Sequence, residues 1–405
     1  MKKEIPLEKS YGDDHVDDHV DKEIEDCFST KNPKCFFVFA GAGSGKTRSL
    51  INTLNFLDRE QGENLLMNGK QVAVITYTNA ACDEISRRLQ YKTIFSVSTI
   101  HSFLWDLIKY YQADIKSWLV ESVQKEIEEL QRKKTKKTGS KAGEKREEKI
   151  KKKMDRLAKI RTVQEFSYNP NGDNVGYDSL SHSEVIKMST EFIATEPTMQ
   201  DILTSKYPIL LIDESQDTKK ELIDALLIVC EKYSGKFIVG MFGDTMQKIY
   251  MDGKEDLAKC IPDNWIKPVK IMNHRSAKRI VTLANSIRST VDALYVSDNT
   301  RFATHQGVKG LEFPRVMVIL DDAQAKGFLF SYEKLFGVKA QSDTDIKNER
   351  DGKDTGITRT ARLFYVACTR AENSLAVVAY TENEELVKAT ALSNGWFLEN
   401  EIYII

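Results

Sequence analysis

The stretch that most restricts this chain is "FFVFAGAGSGKTRS", residues 36–49. A continuous apolar run, three glycines in alternation, a Lys-Thr pair and a helical pattern follow one another, which predicts buried strand, tight turn and helix. Glycine at Gly41, Gly43 and Gly45 lets the backbone turn its N–H groups inward, and the helix N-terminus adds its dipole, so the segment is a concave anion site. Lys46 is placed to reach the β- and γ-phosphates of a nucleotide, and the Thr47 hydroxyl to ligate Mg²⁺. The strict spacing asks for glycine where this chain has Ala40; the neighbouring glycines supply the freedom instead. Gly41, Ala42, Gly43, Ser44, Gly45, Lys46, Thr47 and Arg48 are therefore the expected nucleotide-binding residues.

Such a loop needs a strand behind it, and the rest of the chain repeats that alternation. Short apolar runs at Cys35–Ala40, Val72–Thr78, Ile209–Ile212, Phe237–Met241, Val269–Met272, Val316–Leu320 and Leu375–Tyr380 are separated by helical patterns. They predict an α/β fold with a mostly parallel sheet covered by helices on both faces. At 405 residues two or more subdomains are expected. No apolar run approaches the roughly 18 to 20 residues that span a bilayer, and no signal-peptide core follows Met1, so a cytoplasmic protein with no membrane partner is expected. Six cysteines without a C-x-x-C pair argue against a zinc ribbon, an iron–sulfur cluster or a disulfide framework. The net charge of -1 hides local segregation: Gln131–Arg161 holds 15 Lys or Arg against 4 Asp or Glu. That run reads as an exposed helical or hairpin arm, with nucleic-acid binding as the functional alternative. An acidic N-terminal tail, residues 1–30, contains the repeat "DDHVDDHV", where His15 and His19 at i,i+4 could clasp a metal in what otherwise reads as a solvated acidic tail or helix.

A second stretch, "YPILLIDESQDT" at residues 207–218, ends a buried strand in adjacent acids. Burying Asp213 and Glu214 uncompensated costs several kcal/mol, and a divalent cation beside them removes most of that penalty. With the glycine loop on a neighbouring strand, Asp213 fits the Mg²⁺ shell shared with Thr47, and Glu214 fits the base that activates a water for attack on the γ-phosphate. An ATP hydrolase with ATP and Mg²⁺ as cofactors follows.

Eight segments then occur in a fixed order: "AGAGSGKTR", "VITYTNAACDEISRRL", "VSTIHSF", "LLIDESQDT", "VGMFGDTMQKIY", "MNHRSAKRI", "THQGVKGLEFP" and "FYVACTRAEN". Together they resemble the UvrD/Rep branch of superfamily 1 DNA helicases across roughly residues 36–380, and the chain's size resembles compact UvrD-like subunits of bacterial antiphage systems of the Gabija type. The resemblance implies two RecA-like P-loop lobes with ATP between them and a helical accessory insertion in the first. On that reading residues 31–104 and 206–265 form the first lobe, 105–205 the helical and basic accessory subdomain, and 266–405 the second lobe. It also implies translocation on single-stranded DNA or a single-strand/double-strand junction, typically 3′ to 5′.

Residue by residue, the resemblance makes Gln247 a γ-phosphate sensor, Arg275 and Arg370 the second-lobe arginines, and Glu312 a ribose contact. Arginines from an opposite lobe suit that task because a planar fork grips a phosphoryl group only when the cleft is shut. It makes Tyr77, Thr99, His101, Tyr250, Thr304 and His305 the nucleic-acid track, where rings stack on bases without regard to sequence.

Four departures stand beside these matches. No Gln occurs from Gly12 to Ala40, where the family reads adenine. His274 replaces a tyrosine that stacks on the base, although Arg48 remains. "MDGK" follows Tyr250 in place of a Trp-containing element. Only 27 residues, 277–303, separate "NHRS" from "THQG", where relatives carry a large regulatory domain; a helix over Ala277–Arg288 is expected there. The competing functional reading is therefore a DNA-sensing regulatory ATPase subunit that controls a partner nuclease, or pairs with a partner ATPase, in a defence or repair complex. A small-molecule P-loop kinase is disfavoured, having no use for "THQGVKGLEF".

Overall fold

The structure is a computed structural model that describes residues 17–41, 43–132, 141–172, 174–244, 257–273, 295–296, 313–322, 330–351 and 353–404. Six strands, β1 (Phe36–Ala40), β2 (Val72–Thr76), β3 (Phe95–Thr99), β4 (Ile209–Ile212), β5 (Ile238–Gly243) and β6 (Val269–Lys270), form one sheet in the order β3-β2-β4-β5-β1-β6. Every neighbouring pair is parallel.

The period of two divides each strand between two cores. Phe37, Ala73, Ile75, Leu210, Ile212, Val239 and Met241 face one. Phe36, Val38, Val72, Val74, Ile209, Leu211, Ile238 and Phe242 face the other. The first core is closed by α4 (Ile100–Ile108), α5 (Gln112–Arg132), α7 (His182–Thr195) and α9 (Lys220–Lys232). The second is closed by α1 (Asp18–Asp26), α2 (Lys46–Met67) and α3 (Asn79–Arg88). Burial on both faces is why the strands read as unbroken apolar runs.

Three sequence expectations are corrected. The acidic segment expected as a solvated tail or helix is, over residues 18–26, the helix α1, and it is not solvated on one face: Val20 and Ile24 are fully buried beside Cys27 and Phe28. Apolar residues at i and i+4 give that segment a core-facing stripe that its acidic composition masks. His19 stays exposed, 3.9 Å from Glu23, His15 lies outside the described residues, and no group of three metal-ligating side chains occurs among those described. Strand β3 was not expected: "FSVST" alternates serine with apolar residues, as suits an edge strand that is buried at its ends and half-buried between them. The run Val269–Met272 is split, because after Lys270 the chain leaves the sheet and β7 (Met272–Asn273) pairs with β8 (Tyr295–Val296) instead.

The basic run forms the end of α5 and α6 (Lys141–Ile160), two helices packed together. Arg156 on α6 pairs with Glu184 on α7 at 2.7 Å, and Lys153 pairs with Glu126. Lys145, Lys149, Lys151 and Lys152 stay exposed. Between α7 and β4 runs α8 (Pro197–Lys206), and α10 (Leu257–Cys260) precedes β6.

The second half builds its own core. Strands β9 (Phe313–Leu320) and β10 (Ala371–Ala379) are parallel neighbours, flanked by α11 (Tyr332–Leu335), α12 (Asp343–Arg350), α13 (Gly356–Cys368) and α14 (Glu384–Ser393). Phe336, Phe364 and Trp396 meet at its centre, with the Phe336 and Trp396 rings 5.2 Å apart and edge-to-face. No helix among the described residues is long and apolar enough to cross a membrane.

Candidate functional site

A parallel sheet brings all its strand C-termini to one edge, and the loops there are the natural place for a ligand. In this sheet β1 delivers the glycine loop, β4 delivers Asp213 and Glu214, and β5 lies between them. Gly43 and Gly45 have φ of 72° and 79°, the left-handed region that favours glycine. Gly45 is the N-cap of α2 and no side chain caps that end, so the first N–H groups of the helix are left for an anion. The Ser44 hydroxyl donates to the Gly41 carbonyl at 2.8 Å and tightens the turn. Lys46 is 9% exposed, and its Nζ donates to the carbonyls of Ala40 at 3.2 Å and Gly41 at 3.5 Å. A mostly buried ammonium held by neutral carbonyls gains from any anion that enters the loop. Thr47 is half-buried beside it and Arg48 is exposed.

Asp213 extends the β4 ladder by one residue, its N–H donating to the Ile75 carbonyl at 2.8 Å, and its Oδ1 accepts from the Glu214 N–H at 3.0 Å. Glu214 has φ 51°, a conformation non-glycine residues rarely adopt, so the chain turns sharply at the carboxylate. Gln216 Nε2 donates to Glu214 Oε2 at 2.5 Å. The turn is fastened to β5: Ser215 Oγ donates to the Phe242 carbonyl at 3.1 Å, and the Asp244 N–H donates to Gln216 Oε1 at 3.1 Å. Gly243 is required at this crossing, because a Cβ there would lie 2.6 Å from Ser215 Oγ. The buried hydroxyl of Thr76, at the end of β2, has no hydrogen-bond partner in the structure. An uncapped helix end, an ammonium on carbonyls and a carboxylate at one sheet edge are the donor set that a nucleotide triphosphate with Mg²⁺ requires.

Arg370 is 1% exposed and follows α13, with Nε donating to the Val366 carbonyl at 3.0 Å. One turn earlier, the Tyr365 hydroxyl lies 3.5 Å from Asp244 Oδ2, which ties α13 to the end of β5. Sequence reasoning assigned no role to Tyr365 or Asp244, although both lie inside quoted motifs. Ala42, Gln247, Tyr250, His274, Arg275, Thr304, His305 and Glu312 lie outside the described residues, as does the expected helix at 277–288.

Another group was not anticipated. Lys270, on β6 and 8% exposed, donates through Nζ to Ser49 Oγ at 2.7 Å and lies 3.9 Å from Asp21 Oδ1. Ser49 in turn donates to Asp21, and Asn52 Nδ2 donates to Asp21 Oδ2 at 2.7 Å. One turn before, the Asp17 carboxylate accepts from the N–H groups of Ile271 at 3.1 Å and Met272 at 2.9 Å. Helix α1 thus grips α2 just below the glycine loop and the segment that leads to His274. A lysine within an apolar strand run is the sequence signal that could have pointed to it.

Of the expected nucleic-acid residues, Tyr77 follows β2 and is half-buried. Thr99 Oγ1 accepts from the Ser102 N–H at 3.3 Å and so caps α4. The His101 ring packs edge-to-face on His182 at 4.9 Å, and His182 Nδ1 is hydrogen-bonded to the Tyr168 hydroxyl. Burial first, then His182 and Lys219, push His101 down to about 4 from its ordinary 6.5, so it is neutral at physiological pH. The unfolded chain protonates this imidazole first, so the contribution to stability is full above 6.5 and is lost as pH falls towards 4. His101→Gln is expected to flatten that part of a stability-versus-pH curve; an unchanged curve would disprove the assignment.

A glycine loop and a carboxylate pair on one edge of a parallel sheet define the P-loop nucleotide-binding class. Within it, the chain belongs to the AAA domain family, whose model matches residues 24–252, in agreement with the UvrD-like resemblance of the motifs. It is 26% identical over 358 residues to Gabija protein GajB of Bacillus cereus (strain HuB5-5), covering 71% of this chain and 52% of that one. The chain therefore spans about half the length of that curated relative. Among solved structures, arterivirus nonstructural protein 10 (helicase) overlaps 92% of this chain and 63% of its own, at 12% identity and a TM-score of 0.34. Its complex with DNA gives 12% identity and 0.32, over 92% and 65%. Overlaps of that size do not bear on function.

Proposed function

We propose that this chain is an ATP-driven DNA translocase or helicase of the UvrD/Rep type, acting on single-stranded DNA or a single-strand/double-strand junction with 3′ to 5′ polarity. The observation that carries it is the arrival of Lys46 from β1 and of Asp213 and Glu214 from β4 at one sheet edge, either side of β5. In this reading Gly41 to Arg48 cradle the phosphates, Lys46 grips the terminal ones, and Glu214 takes the proton from the attacking water. Thr47 and Asp213 would hold Mg²⁺, which would supply neutralisation of the phosphate charge. Gln247, Arg275 and Arg370 complete the γ-phosphate environment, and His274 and Glu312 contact base and ribose. Tyr77, His101, Tyr250, Thr304 and His305 line the DNA track, with Thr99 setting the start of α4, and the exposed lysines of α6 add phosphate contacts.

The test is ATP hydrolysis with and without single-stranded DNA over a salt series. A many-fold stimulation that fades steeply as salt rises is expected; hydrolysis indifferent to DNA would overturn the motor reading.

The similarity to a Gabija protein supports a second reading, an ATPase subunit that controls a partner nuclease in a cytoplasmic antiphage complex. Purification from the native host discriminates: a stoichiometric nuclease whose cutting responds to ATP favours this reading, and a chain that purifies alone counts against it.

A further inference from the structure

At the opposite end of the sheet from the nucleotide site, a cavity of about 210 Å³ is lined by Lys34, Cys35, Cys230, Ser234, Phe237 and Trp265. Cys35 stands one residue before β1, half-buried, and its sulfur accepts a hydrogen bond from the Val239 N–H at 3.3 Å. Its thiol donates to the Phe237 carbonyl at 3.8 Å. Cys230, buried near the end of α9, lines the same cavity as Cys35.

We propose that Cys35 and Cys230 are a peroxide-reactive dithiol, with Cys35 the site of oxidation and Cys230 its resolving partner, joined as a disulfide across the base of the first lobe. Both sulfurs face one cavity, and the Val239 N–H points at that of Cys35. The Cys230 thiol, followed by the Val239 N–H, holds Cys35 below the ordinary thiol range against the effect of burial, while burial pushes Cys230 well up. The thiols of Cys27, Cys82 and Cys368 are set the other way: burial raises Cys27 and Cys82 to about 12, and raises Cys368 as well. A thiolate is the nucleophile, so the six cysteines are not equivalent.

The chemistry balances in two steps. The Cys35 thiolate attacks one oxygen of hydrogen peroxide, the O–O bond breaks, and the departing hydroxide takes a proton to become water, leaving a sulfenic acid. The Cys230 sulfur then attacks the Cys35 sulfur, the S–O bond breaks, and the departing hydroxyl leaves as a second water with the proton lost by Cys230. The dithiol gives up two electrons to one peroxide. Thiol–disulfide exchange with a small-molecule thiol reverses it. None of this depends on the nucleotide reading.

The experiment is brief exposure of the full chain to a few equivalents of hydrogen peroxide, alkylation, and peptide mapping by mass spectrometry. A mass loss of about 2 Da, a Cys35–Cys230 cross-linked peptide that dithiothreitol releases, and oxidation of Cys35 at least ~10-fold faster than of Cys82 are expected. In Cys230→Ser, Cys35 accumulates as a sulfenic acid trapped by dimedone. Unlinked Cys35 and Cys230 in the peroxide-treated native chain would overturn the proposal, as would oxidation at equal rates across the cysteines. If Cys230→Ser does not fold, the native-chain map alone decides.

Discussion

Glutamine at position 214 is expected to leave ATP binding near its native level while slowing ATP hydrolysis by ~10²- to 10⁴-fold, the range that loss of a positioned general base produces. The substitution keeps the size of the side chain and can keep the contact with Gln216, whose Nε2 donates to Glu214 Oε2 at 2.5 Å. It removes the negative charge that, in the proposed function, accepts a proton. Backbone placement is unaffected, because the left-handed turn at 214 is held by neighbours: Ser215 on the Phe242 carbonyl and Gln216 under the Asp244 N–H. Asp213→Asn should differ in kind. Its loss belongs to the metal and should recover in part at high Mg²⁺, whereas Glu214→Gln should not respond. Equal hydrolysis by Glu214→Gln and the native chain, at saturating ATP and DNA, would remove Glu214 from the chemistry.

The glycine loop, the acidic strand end and five of the six sheet strands were legible because each is local: an apolar run bounded by a turn, with its chemistry within a few residues. Strand β3 was hidden by its serines, which an edge position tolerates. Helix α1 was hidden by its charge, since the pair Val20 and Ile24 carries its burial. The contacts that hold the site were not legible for a different reason. Lys270 and Ser49 are 221 positions apart and Tyr365 and Asp244 are 121 apart, and nothing in either neighbourhood names the other. Composition could mark Lys270 as odd in a strand; the fold was needed to supply Asp21.

That pairing sets the remaining prediction. Lys270→Met is expected to destabilise the protein by ~2–3 kcal/mol and to raise the KM for ATP with less effect on kcat. Methionine fills most of the volume but leaves Asp21 with the dipoles of Ser49 and Asn52 and without the ammonium 3.9 Å away. Asp21 is partly exposed, which places the cost below the roughly 3–5 kcal/mol typical of breaking a fully buried pair. The kinetic effect follows from position: Ser49 lies in the turn of α2 that carries Lys46 and Thr47, and Lys270 is the register partner of Ala40, the residue that enters the glycine loop. A loosened first turn weakens phosphate binding in ground and transition states alike. Asp21→Asn removes the stranded charge, so the double variant should recover most of the stability lost by Lys270→Met alone, a coupling measurable by denaturant unfolding of the four chains in a cycle. Strict additivity would mean that lysine and aspartate act separately, and α1 would then be a passive cover over α2, with no part in setting the loop.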